Sequence, residues 1–149
     1  MSCLTFPHAN MRMEKAELGL AVFGKEDRAV EGVLMFNEIC IYEAKIDKQD
    51  EIEALMKEVA EFYLSQPGVI DVKYIKRTHR QEDFNAVKEG TPPIRLTKWI
   101  GKVTYILHWT LENEDVHAQV SKLGLEQFYK RWNRCLTTMP KILLGENIV

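Results

Sequence analysis

A chain of 149 residues has the length of one domain and can bury one core. With 46% hydrophobic and 28% charged residues it has the composition of a globular domain, which excludes wholesale disorder. Lys plus Arg number 20 and Asp plus Glu 22, a formal net charge of −2, so nothing in the charge balance points to nucleic acid or to an anionic membrane as a partner.

The apolar runs are too short to span a bilayer, and the opening Met1-Ser-Cys-Leu-Thr-Phe-Pro-His8 lacks the basic-then-apolar pattern of a signal peptide. Cys3, Cys40 and Cys135 are odd in number and match no zinc or redox spacing. They read as buried or surface thiols in a reducing compartment, with the cytoplasm as the expected location.

Residues 1–32 form an N-terminal extension to the domain at 33–149. Within it, residues 13–23 can form a short helix with Leu18 and Val22 on one face. Phe6, Leu20 and Phe23 would pack it on its own domain or on a partner subunit; the competing reading is a mobile arm.

Residues 33–46 are rich in β-branched, aromatic and long apolar side chains and read as a strand. Both of its faces are largely apolar, which predicts a strand covered on two sides. Asp47 offers a helix N-cap, with Asp50, Glu51 and Glu53 on the first turns. Ile52, Leu55, Met56, Val59 and Tyr63 then make one helical face, and Gln66-Pro67-Gly68 stops the helix. Residues 69–80 are a second strand that ends in the basic cluster Lys76-Arg-Thr-His-Arg80, a solvated strand end or the rim of an anion-binding pocket. Residues 81–95 are long for a connection between strands, and read as either a lid or a surface excursion, with a helical turn at 82–87.

Residues 97–111 are the clearest strand. Trp99, Val103, Tyr105, Leu107, Trp109 and Leu111 alternate with Lys98, Lys102, Thr104, Ile106, His108 and Thr110, and Gly101 marks a bulge or close approach. Asn113 is a plausible N-cap for a second helix carrying Val116, Val120 and Leu123, then Leu125, Phe128, Trp132 and Leu136 after a Gly124 that predicts a kink or a break. Residues 142–144 and 148–149 supply a last strand-like tail.

The order β-α-β-β-α-β predicts an α+β, ferredoxin-like arrangement with both helices on one face of an antiparallel sheet. The other face would be bare and apolar, which predicts a homodimer packed sheet to sheet about a two-fold axis.

The chain here resembles the dimeric α+β barrel superfamily, and within it the antibiotic-biosynthesis-monooxygenase-like domains. The likeness lies in Phe36-Asn37-Glu38, in Gln66-Pro67-Gly68-Val69-Ile70, and in Tyr105-Ile-Leu-His-Trp109 followed by Glu112-Asn-Glu-Asp-Val-His117. It implies a small monooxygenase that oxidises an aromatic or quinol-type molecule with no metal or flavin cofactor. Such a site deprotonates a phenol, holds the anion and admits oxygen in a dry aromatic pocket. Asn37, Trp109 and His117 are its candidate catalytic residues, and Tyr74, His108 and His79 its candidate ligand-binding residues. The haem-degrading branch needs a Trp and a His where Ala118 and Tyr129 stand, so that chemistry is not expected.

Read from the residues alone, each candidate also has an ordinary role. Asn37 can be a structural amide, Trp109 and Tyr74 core side chains, His108 a dimer-contact or solvated residue, and His117 and His79 surface residues. The likeness in Phe36-Asn37-Glu38 favours the pocket for Asn37. No dinucleotide fingerprint, phosphate loop, serine-hydrolase elbow or zinc-protease motif is present. The residues therefore leave open an oxygenase, a non-catalytic binder of a small apolar ligand, and a structural homodimer.

Overall fold

The computed structural model describes residues 34–149. The readings made for residues 1–32 lie outside the described residues. Strand β1 (Phe36–Lys45) leads through a 3-10 turn (Ile46–Lys48) into helix α1 (Gln49–Leu64). Strand β2 (Val69–Lys76) follows, then a short strand β3 (His79–Arg80), helix α2 (Phe84–Lys88) and strand β4 (Ile94–Arg95). Strand β5 (Lys102–Leu111), helix α3 (Glu114–Cys135) and strand β6 (Lys141–Glu146) complete the chain. The main sheet has the order β2-β5-β1-β6 with antiparallel neighbours, and β3 and β4 pair as a separate ribbon. This is the expected ferredoxin-like α+β arrangement.

Period-two alternation sorts the two central strands. Val103, Tyr105, Leu107, Trp109 and Leu111 of β5, with Cys40, Tyr42 and Ala44 of β1, are buried toward the helices, where Ile52 and Met56 of α1 and Val120 and Cys135 of α3 meet them. Leu55, Val59 and Phe128 form a second cluster between the helices. The opposite face of β1 is not covered within the described residues: Ile39 is exposed, and Asn37, Ile41 and Glu43 are half-buried. The two-sided cover expected for β1 is therefore supplied on one side only.

Three local features differ from expectation. Asp47 lies in the 3-10 turn, and α1 starts after Lys48 with no side-chain cap. Trp99 does not begin β5. Gly101, at φ +78°, turns the chain before the strand, and the Trp99 indole folds back so that its Nε1 donates to the Arg77 carbonyl at 3.4 Å. The 81–95 connection leads from β3 to β4, and the helical turn expected within it is α2, capped by Asp83, whose carboxylate accepts from the Ala86 amide at 2.8 Å. Finally, α3 runs unbroken through Gly124, with Asn113 capping it as expected.

Gly124 is buried because α1 presses on it. A Cβ there would lie 2.7 Å from the Tyr63 hydroxyl and 2.9 Å from a Tyr63 ring carbon. The glycine acts as a contact point rather than a hinge. The α3 face consequently differs from the expected stripe: Val120, Gly124, Phe128 and Cys135 are buried, while Leu123 and Leu125 are exposed.

Replacing Gly124 by Ala should destabilise the fold by about 1–3 kcal/mol through overpacking, whereas Ala in place of Gly at an open helix position gains about 1 kcal/mol. Urea denaturation reads the difference, and adding Tyr63→Phe should recover part of the loss.

Candidate functional site

Glu38 is the one buried charged side chain among the described residues, at 7% relative exposure. It stands in the helix-facing row of β1, between Phe36 and Cys40. A carboxylate in an apolar layer requires a partner, and the partner is His117, whose Nε2 is in close hydrogen-bond contact with Glu38 Oε2. His117 sits in the first turns of α3, placed there by the Asn113 cap. Ser121, one turn further along, brings its hydroxyl to 3.4 Å from the same Nε2. Because serine and carboxylate approach one nitrogen, this is not the relay of a serine hydrolase, which uses both nitrogens of the ring.

Aromatic rings close the surroundings. The His117 ring centroid is 5.1 Å from that of Phe36 and 5.4 Å from that of Trp109. Tyr63 stacks on Trp109 at 4.4 Å. Burial, and then the Glu38 charge, push the Tyr63 phenol well above its ordinary range. Burial does the same to Tyr74 and raises the Cys40 thiol to about 11, so Cys40 is not an activated nucleophile. The Trp109 indole Nε1 and the Tyr74 hydroxyl are buried without a hydrogen-bond partner among the described residues. With Nε2–H donated to Glu38, the lone pair of His117 lies on Nδ1, and the imidazole side chain keeps 17% of its surface exposed. The arrangement is an oriented acid–base group against an aromatic wall.

Asn37 belongs to a different cluster. It is next to Glu38 in sequence and therefore points to the other face of the sheet. Its Nδ2 donates to the Met35 carbonyl at 3.1 Å and to Asn147 Oδ1. Its Oδ1 accepts from Thr110 Oγ1 at 2.9 Å and from His108 Nε2 at 3.2 Å. Both donors and both acceptor positions of the amide are thus occupied by the protein.

No family model matches the chain, and no curated protein matches it. Solved structures do. A candidate antibiotic biosynthesis monooxygenase from Nitrosomonas europaea superposes with a TM-score of 0.55 at 10% identity, over 76% of this chain and 90% of that one. SnoaB from Streptomyces nogalater, a cofactor-independent oxygenase, in a mutant form, gives 0.53 at 10% identity over 77% and 94%. A conserved protein from Methanosarcina mazei gives 0.53 at 17% identity over 76% and 92%. The chain has the antibiotic-biosynthesis-monooxygenase-like fold.

On that fold, the sheet divides the six residues singled out from sequence. Trp109, His117 and Tyr74 are on the helix side, and Asn37 and His108 on the open side. His79 stands apart on the β3–β4 ribbon, exposed, with its Nδ1 2.8 Å from Thr78 Oγ1. Glu38, Tyr63 and Ser121 were not among the residues expected at the site. Glu38 could have been found, since a lone carboxylate within the row Phe36, Cys40, Tyr42 demands a buried partner.

Replacement of Asn37 by Leu strips His108, Thr110 and Asn147 of a shared partner and should lower stability by about 1–3 kcal/mol. Binding of small molecules on the helix side should be unchanged. Thermal unfolding and titration calorimetry on the one variant read both effects.

Proposed function

We propose that this protein is a small oxygenase that binds an aromatic, quinol-type molecule between sheet and helices and uses His117 as its general base. The observation that carries this reading is the Glu38–His117 pair, held against Phe36 and Trp109. Its support is the fold it shares with a cofactor-independent oxygenase. A phenol presented to His117 Nδ1 gives up its proton, and Glu38 stabilises the imidazolium that forms. The phenolate is then the electron donor. One atom of dioxygen bonds to the ring carbon, and the other takes up the phenolic and ring protons and leaves as water. Phenol plus dioxygen becomes quinone plus water, and the substrate supplies every electron.

The working form proposed is a homodimer joined through the open sheet face, where Ile39, Ile41, Ile75 and Ile106 surround the Asn37 cluster. Sedimentation velocity should show a dimer at micromolar concentration. Ile106→Asp, at the centre of that face, should shift it to monomer; a wild-type monomer would remove this part of the reading.

Activity is tested with 1-naphthol and isotopically labelled dioxygen, against a protein-free control. One labelled oxygen atom should appear in the naphthoquinone. His117→Gln should lower the rate by about 10²- to 10⁴-fold with little change in melting temperature. Glu38→Gln should also lower the rate. Saturable binding without turnover would make the protein a ligand-binding module, and neither binding nor turnover would leave the structural dimer.

A further inference from the structure

A cleft of about 280 Å³ lies between α1 and the sheet edge formed by β2 and β5, lined by Glu53, Met56, Lys57, Ala60, Tyr74, Lys76 and Tyr105. Neither His117 nor Glu38 takes part in it. We propose that this cleft is a separate binding site for a small planar aromatic carboxylate.

Its walls are apolar. Met56 and Ala60 come from the helix, and Tyr74 and Tyr105 from neighbouring strands of the sheet. The space suits one or two fused rings and is near the lower end of ligand-pocket sizes. The Tyr74 ring of that wall is buried.

The rim is charged and built. Lys76 Nζ donates to Glu53 Oε1 at 2.6 Å and to Gln49 Oε1 at 3.1 Å, and it lies 5.0 Å from the Trp99 ring centroid and 5.9 Å from that of Tyr105. The Tyr105 hydroxyl donates to the same Glu53 oxygen at 2.8 Å. The Lys76 hydrogen bond holds the Glu53 carboxyl below its ordinary range, so it is ionised at neutral pH. Among the lining residues two ammonium groups stand against one carboxylate, with Asp50 acting on the Tyr105 hydroxyl from outside the lining. Lys57 makes no ion pair among the described residues, so its charge is available to an anion. An apolar slot with aromatic faces and a cationic rim matches a flat ring carrying one negative group.

The probe is 2-naphthoate, titrated into the full-length protein by calorimetry, with 2-naphthamide as its neutral isostere. The wild type should bind the carboxylate more tightly than the amide. Lys57→Glu, on the exposed face of α1, should weaken the carboxylate about fivefold and leave the amide unaffected. Ala60→Phe fills the slot and should weaken both by at least about tenfold, whereas His117→Gln should weaken neither. Loss of binding in His117→Gln, or binding indifferent to both Lys57→Glu and Ala60→Phe, would overturn the assignment. Because the readout is binding at residues outside the Glu38–His117 pair, it stands or falls separately from the oxygenase reading.

Discussion

A side chain of any size at position 124 would collide with Tyr63, since even a Cβ would lie 2.7 Å from its hydroxyl. The two long helices therefore meet through a ring seated on a backbone. Against Gly124, Tyr63 stacks on Trp109, and the Trp109 ring lies 5.4 Å from the His117 imidazole, tilted to it. His117 thus lies at the end of a row of rings that begins on α1, rests on the helix-facing side of β5 and ends on α3. A second glycine completes the placement. Gly68, at φ +84°, lets the turn after α1 sit against Val116, the residue before His117, with 2.7 Å to a would-be Cβ. Its carbonyl accepts from the Glu112 amide just ahead of α3, which fixes where that helix starts.

Glu38 is expensive in this setting. Removing a carboxylate from water costs several kcal/mol after relaxation, and a histidine contact alone does not repay it in full. A leucine in the same row would pack with Phe36 and Cys40 and carry no such cost. Natural cores keep such pairs where the charge has work to perform. Under the proposed function, the role that would justify this cost is orientation of the His117 ring.

The fold was legible because its strands and helices announce themselves by periodicity. The alternation at 103–111, the Asn113 cap and the stop at residues 66–68 all appear in the structure at the expected places. What failed were local inferences from single residues. Asp47 looked like a cap but entered a 3-10 turn, and Gly124 looked like a break but gives Tyr63 of the other long helix room to seat on the α3 backbone. Trp99 kept the alternation in sequence, yet the bend at Gly101 takes it out of the strand. Gly124 and Trp99 each depend on a tertiary partner, Tyr63 and the Arg77 carbonyl, which local patterning does not contain. The site was legible in part for the same reason. Trp109 and His117 stood out as aromatic and titratable residues, whereas the partner of His117 lies 79 positions away on β1.

Asn37 and Glu38 show how far a short motif can carry. They are consecutive on one strand, so the pleat sends them to opposite faces and only one can share a site with Trp109 and His117. The amide went to the open side, where β1, β5 and the end of β6 converge on it through Thr110, His108 and Asn147. There it ties the C-terminal strand to the centre of the sheet with bonds that an apolar residue cannot make. A polar cluster in the middle of an otherwise isoleucine-rich face also restricts how a second sheet can lie on it. Hydrocarbon against hydrocarbon slides freely, but a sheet laid over Asn37 and His108 must offer either water or matching polar groups at that point. The same strand therefore carries the buried partner of His117 on one side and a polar cluster on the other.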